Sequence, residues 1–390
     1  MPKAAKCRII LTKKELDKDM KDPRISKLAK NLVNYSIAVG KEDKVLIEAT
    51  DISSELVEEI VKEVYAAGGY PFVQLFDSQI ERVVRMGANQ KYYEKLRDYA
   101  MVRMKDMQCY IGIRGTKNSY ELSDLPSKTV EMYSRIYAQE VHHDTRVGKT
   151  RWVILRYPNF SMAQLSGMTT EKFEDFYFDV CNLDYSKMDR AMDKLKALMD
   201  KTDKVRLVAK DTDLTFSIKG IGAVKCAGHM NIPDGEVYTA PVKNSVNGVI
   251  HYNAPSIENG TRYEDVRLTF KDGKIIEATS NFTEKCNAVF DTDEGARYVG
   301  EFAIGVNPYV TTPMGDILFD EKIAGSIHFT PGACYEDAYN GNKSAVHWDL
   351  VLIMTPEYGG GEIWFDDKLI RKDGLFVVEE LKCLNPSNLK

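Results

Sequence analysis

The sequence predicts two units of different architecture: an N-terminal α/β domain with a mostly parallel sheet over residues 1–200, and a β-rich C-terminal domain over residues 201–390. A chain of 390 residues is longer than one ordinary hydrophobic core serves. Its first half alternates segments of helical period with short apolar runs, the rhythm of strands joined by helices. Its second half instead sets short strand-like runs between Gly and Asn/Asp turns, such as Asp272-Gly273 and Glu258-Asn259-Gly260.

In chain order, Pro23 to Ser36 reads as a helix, with Pro in the first turn and Leu28, Leu32 and Val33 on one side. Val45 to Ala49 is a short buried strand. Ser53 or Ser54 caps the next helix, on which Leu56, Val57, Ile60, Val61 and Val64 follow helical spacing. Gly68-Gly69 stops it, and Tyr70 to Phe76 returns as a strand. Cys109 to Gly115 is a strand running into a turn. Trp152 to Leu155 is another, with helices before it (Lys128–His142) and after it (Thr170–Cys181). A charged helix from Tyr185 to Met199 ends this half. Strands are then expected at Val205–Ala209, Leu214–Ile218, Val249–Tyr252, Val266–Phe270 and Lys274–Ala278, with an inserted helix over Asp293–Phe302.

Composition excludes several roles. A net charge of −5 argues against nucleic acid as the main partner, because phosphate binding draws on concentrated Lys and Arg. No apolar stretch approaches the ~20 residues needed to cross a bilayer. Ile9-Ile10-Leu11 is too short for the core of a signal peptide. The seven cysteines are scattered, odd in number and never paired as C-x-x-C, which fits reduced thiols in a cytoplasm and not a disulfide framework or a cysteine-ligated zinc.

The most informative segment is Ser344-Ala345-Val346-His347-Trp348-Asp349-Leu350-Val351-Leu352-Ile353-Met354, an apolar run suited to a buried strand. Alternate strand residues share a face, so His347 and Asp349 point the same way. Burying an imidazole and a carboxylate is costly unless something pairs with them. That partner is a metal ion or simply each other. The same half repeats the pattern. His328 sits inside Gly325–Thr330, and Glu321 precedes it. Glu301 lies among the apolar and small residues of Ala296–Gly305, and Glu236 follows the turn Asn231-Ile232-Pro233-Asp234-Gly235. Singly, each has an ordinary structural role as a solvated carboxylate or a core histidine. Together these carboxylates and imidazoles form the mixed O/N donor set of borderline and hard divalent ions. A single zinc site needs only three protein ligands, so the six candidates point to two ions. Such a pair can share a water, lower its pKa and polarise a carbonyl oxygen.

With these residues the chain resembles the metallo-aminopeptidase family M29, the thermophilic aminopeptidases of aminopeptidase T/S type. The matching stretches are Asn231 to Pro241, Glu294 to Glu301, Phe319 to His328, Asn342 to Asp349, and Tyr358-Gly359-Gly360-Gly361-Glu362-Ile363. The resemblance implies an aminopeptidase with two clustered divalent ions, Zn2+ or Co2+ with Mn2+ as a further choice. It also implies peptide substrates with a free N-terminus, and a homodimer enclosing the site. The family's metal ligands would fall on Glu236, Glu301, Glu321, His328, His347 and Asp349, with Glu301 as ligand or general base. Its catalytic tyrosine would fall on Tyr335, although Thr330-Pro331-Gly332-Ala333-Cys334-Tyr335 departs from the usual Leu-Gly-x-x-Tyr form. The implied reaction is hydrolysis of the first peptide bond by a water activated between the ions. Tyr335 would donate a hydrogen bond to the developing oxyanion, and Trp348 would pack on the opposite side. Two alternatives stay open: a metal-dependent hydrolase of another amide or ester, and a non-catalytic binding or assembly protein with a vestigial metal pocket.

Other polar features are expected to be structural. Adjacent helical residues diverge by ~100°, so His142-His143-Asp144 suits an exposed helix end. Cys226-Ala227-Gly228-His229 and His251 lack partners at ligand spacing. Gly112-Ile113-Arg114-Gly115 is not a dinucleotide fingerprint, and Gly359 to Gly361 lacks the Lys-Ser/Thr of a phosphate loop.

Overall fold

The computed structural model describes residues 22–118, 120–258 and 260–390. Cys7, the Ile9–Leu11 run and Asn259 of the expected Glu258–Gly260 turn lie outside the described residues. In the first half, five strands form a parallel sheet in the order Tyr70–Phe76, Lys44–Thr50, Cys109–Arg114, Arg151–Arg156, Asn231–Ile232. Their apolar runs suit a sheet covered by helices on both faces. Val45, Ile47, Ile111, Ile113, Val153 and Leu155 bury one face with Leu28, Leu32, Leu56 and Ile60. Leu46 and Tyr110 bury the other with Ala100, Met104 and Val141. The fifth strand belongs to the turn that leads into Glu236, so it ties this sheet to the second half.

Two main antiparallel sheets and a two-stranded ribbon, Ser256–Glu258 with Thr261–Tyr263, build the second half. The larger runs Lys274–Thr279, Arg267–Lys271, Asn247–His251, Thr212–Ser217, Lys204–Ala209, Gly361–Phe365, Lys368–Lys372, Leu375–Phe376. The smaller runs Val351–Ile353, Ser326–Pro331, Val299–Gly305, Glu236–Thr239, Val224–Cys226. They meet through aromatic side chains: Phe216 of the larger sheet lies 5.0 Å, centroid to centroid, from both Phe302 and Phe329 of the smaller. The architecture is therefore the expected α/β unit followed by a β-rich region.

Several local expectations need correction. The helix expected over Asp293–Phe302 is a single 3-10 turn, Glu294–Arg297, capped by the Asp293 carboxylate. Val299–Gly305 is instead a fully buried central strand. Gly300 and Gly305 are poor helix formers, and here they let backbones approach: a Cβ on Gly300 would meet the Ala333 carbonyl oxygen. The helix of this region lies earlier, at Thr283–Phe290. Of the expected strand Ser344–Met354, only Val351–Ile353 forms one. The preceding residues are held by tertiary contacts, because the Asp293 carboxylate accepts from Ala345 N and Ser344 Oγ, and Trp348 N–H donates to Pro331 O. The helices expected at Pro23–Ser36 and Lys128–His142 begin as α-helix and continue as π-helix, over Asn31–Ser36 and Tyr133–Val147. Helices Ser78–Gly87 and Gln90–Met104 had no counterpart in the sequence reading.

Candidate metal centre

Neighbouring strands and one loop bring the donors together. Glu236 opens the strand Glu236–Thr239, directly after Gly235, whose φ of 137° and packing against Asn307 leave no room for a Cβ. Glu301 sits on the adjacent strand where the register with Ser326–Pro331 shifts, an irregularity of the kind that re-aims a side chain. His328 lies one strand further, opposite Ala303. His347 is bridged to Gly332, and Asp349 follows two residues on. As expected, their side chains turn the same way: His347 Nε2 is 3.4 Å from Asp349 Oδ1. Trp348 points away and stacks on Phe290.

One carboxylate spans the group. Glu301 Oε1 is 3.1 Å from His328 Nε2, and Glu301 Oε2 is 3.3 Å from His347 Nε2. His347 Nδ1–H donates to Ala333 O at 2.8 Å, which leaves Nε2 as the atom facing the carboxylates. Thr330 Oγ1–H donates to Asp349 Oδ1 at 2.7 Å. Glu236 Oε2 and His328 Nδ1 are buried without a hydrogen-bond partner and stand 3.6 Å apart. Donor atoms within 4.8 Å of one another form the sets Glu236–Glu301–His328, Glu301–His347–Asp349 and Glu321–His328–Asp349. The structure thus brings all six sequence candidates into one place.

Burial and neighbouring charge oppose each other at most of these groups. Burial disfavours a charged His328, but Glu236 and Glu301 override it and raise the imidazole to about 10. Burial likewise opposes a charged His347, and Asp349 with Glu301 carries it to about 12. Burial raises Glu321 to about 8 against the pull of Lys322, with Glu236 adding to the rise. Burial also raises Glu236. In Asp349 burial acts upward, but His347 holds the carboxyl well below its ordinary range. Glu301 is lowered too, as His328 and His347 outweigh its burial.

Three further residues border the donors. Tyr335 is half exposed, its ring 4.8 Å from that of His347. Burial of its hydroxyl end and the carboxylates of Glu301 and Asp349 raise that hydroxyl. Lys322, only 1% exposed, reaches Glu236 Oε1 at 2.6 Å, Glu321 Oε1 at 2.7 Å and Asp234 Oδ1 at 3.6 Å. Sequence reasoning missed both Lys322 and Asp234, since a lysine beside a glutamate ordinarily reads as a solvated pair. Cys226, expected to be without partners, lies within donor distance of Asp234 and Glu236. Burial, then those two carboxylates, push its thiol well up, which keeps the sulfur protonated.

The remaining histidines lie elsewhere. His229 stacks on Tyr35, and His251 faces Asp211 and Asp265 on the larger sheet. His142 is not at an exposed helix end. It is half-buried within Tyr133–Val147 and lines a cavity of about 790 Å³ in the α/β half. None of the six donors lines that cavity.

Residues 21–358 match the thermophilic metalloprotease (M29) family. Aminopeptidase PepS of Streptococcus thermophilus is 26% identical over 381 residues, 84% of this chain and 91% of that protein. Aminopeptidase T of Thermus thermophilus is 36% identical over 139 residues, 31% of this chain and 34% of that protein. Among solved structures, wild-type AmpT from Thermus thermophilus aligns with a TM-score of 0.73 at 21% identity, covering 91% of this chain and 99% of that one. The 2,5-dihydroxypyridine dioxygenase of Pseudomonas putida KT2440 aligns with a TM-score of 0.59 at 13% identity, covering 93% and 99%. These two likenesses show a shared fold. The family match spans most of the chain and includes all six clustered donors, so the chain belongs to the thermophilic metalloprotease family, M29, and is a metallopeptidase.

Proposed function

We propose that the chain is a two-metal aminopeptidase. Glu236, Glu301 and His328 would hold one divalent ion, and Glu301, His347 and Asp349 the other, with Glu321, which lies within reach of His328 and Asp349, as a further carboxylate ligand. The observation that carries this reading is Glu301: its two oxygens face two different imidazoles, at 3.1 and 3.3 Å. The donor chemistry fits divalent cations, because Glu236, Glu301 and His328 are buried and two atoms of the O/N set, Glu236 Oε2 and His328 Nδ1, have no hydrogen-bond partner. Zn2+ or Co2+, and next Mn2+, suit such ligands, and when bound they supply Lewis acidity toward a carbonyl oxygen and toward water.

The chain's own groups do the rest. Glu301 joins the two triads, one oxygen facing His328 and the other His347. Thr330 and the Ala333 carbonyl orient Asp349 and His347. Tyr335, on the open side of the cluster, donates a hydrogen bond to the oxyanion that develops at the scissile carbonyl. The aminopeptidase names of the relatives support a peptide substrate with a free N-terminus. A homodimer is supported by apolar side chains left uncovered on the edge strand Tyr70–Phe76 and the helix Ser78–Gly87, among them Leu75, Ile80 and Val83. The free cysteines among the described residues fit a cytoplasmic setting.

The test is chelation followed by metal return, with cleavage of aminoacyl-nitroanilides as the readout. Chelated protein should be inactive and Co2+ or Zn2+ should restore it, whereas full activity without metal overturns the reading. Equal cleavage of free and N-acetylated peptides would instead assign a broader amide or ester hydrolase.

A further inference from the structure

The two donor triads share Glu301 but differ in one neighbour. Lys322 follows the short helix Ile317–Asp320, and its ammonium lies wholly inside, against Glu236, Glu321 and Asp234. Among the described residues, no Lys or Arg pairs with Glu301, His347 or Asp349, whose ion-pair partners are each other and His328. One triad therefore contains a cation built into the chain, and the other does not.

We infer that Lys322 is a resident counter-cation that makes the Glu236–Glu301–His328 site the weaker and more readily emptied of the two metal sites. The inference rests on the two-metal reading above and adds an order of occupancy to it. Lys322 occupies Glu236 Oε1, so this carboxylate offers an incoming ion only Oε2. A dication entering there also meets a fixed positive charge one carboxylate away, and such repulsion is strong where water is excluded. The opposite effect, in which Lys322 helps the metal by orienting Glu236, is the smaller one here. Glu236 is already placed by a strand paired on both sides and by Gly235 wedged against Asn307. Without the lysine, Glu321 and Asp234 would add their charge to the attraction for a cation.

Calorimetric titration of metal-stripped, full-length protein with Zn2+ tests this. The expected result is two binding events whose Kd values differ by about tenfold or more. His328→Ala should remove the weaker event and leave the tighter one. Lys322→Met, which keeps the side chain's bulk, should tighten the weaker event about tenfold, while Lys322→Arg keeps the gap. Two equal affinities in the wild type, loss of the tighter event in His328→Ala, or weaker binding in Lys322→Met would each overturn the inference. If Lys322→Met does not fold, Lys322→Gln takes its place in the same titration, where a tighter weaker event supports the inference and an unchanged or weaker one overturns it. Failure of the wild type to bind any Zn2+ would sink the two-metal reading as well, whereas two equal sites sink only the assignment of Lys322.

Discussion

Each half of this molecule buries a carboxylate among aromatic and imidazole groups, yet the two places behave in opposite ways. In the α/β half, Glu48 accepts a hydrogen bond from the Tyr110 hydroxyl at 2.8 Å, and Arg103 stands 3.8 Å away. His142 lines the same cavity, and burial, together with Arg146 and Arg114, pushes it down to about 4. In the β-rich half, burial pushes His328 and His347 the same way, but surrounding carboxylates carry them up to about 10 and about 12. Buried histidine therefore says little by itself; the sign of the neighbouring charge decides. The α/β half supplies its own donor and cations, whereas the cluster around Glu301 leaves Glu236 Oε2 and His328 Nδ1 buried without a hydrogen-bond partner.

The largest test of this contrast is Glu301→Gln. It keeps the shape but removes the charge shared by both triads, and should lower kcat/KM by about 10³-fold or more while reducing bound metal. Retention of both metal and activity would erase the difference between the two regions. Tyr335→Phe should come next, with kcat lower by about 10²–10³-fold, metal content unchanged and KM little altered. A KM-only effect would assign this ring to substrate packing.

Stability against pH sharpens the comparison further. His328 and His347 have folded pKa values raised above the ordinary 6.5, so the stability they contribute is fully present below that pH. It is lost as pH rises through about 10 and about 12. Glu321, raised to about 8, acts in the same direction over a lower range. Metal-free protein should therefore lose several degrees of Tm between pH 7 and 10, and saturating Zn2+ should flatten the slope, because the ion replaces the protons. A flat metal-free profile would show that His328, His347 and Glu321 do not hold these protons in the folded protein. The smallest expected effect is His142→Leu, which should change peptidase activity by less than about twofold, since neutral His142 faces a cavity bordered by none of the six donors. A large loss of kcat there would join the two regions functionally.

Much of the site was legible because polar residues inside apolar runs are conspicuous: His328 within Ser326–Pro331, and His347 and Asp349 beside Val351–Ile353. Lys322 was not legible, because burial of a lysine next to a glutamate arises from strands far away in sequence. The Glu301 segment was misread as helix because a strand buried on both faces shows no period-2 alternation. The loop before Val351 was misread as strand because its shape depends on Asp293, more than fifty residues earlier.

By itself, the sequence determined the order of α/β and β-rich architecture and the inventory of donor groups, since hydrophobic period and residue chemistry are local properties. Only the tertiary structure decided that one glutamate stands between two imidazoles, and that one triad has a lysine beside it while the other has none. Strand register and the shift before Glu301 set those distances, and sequence spacing contains neither.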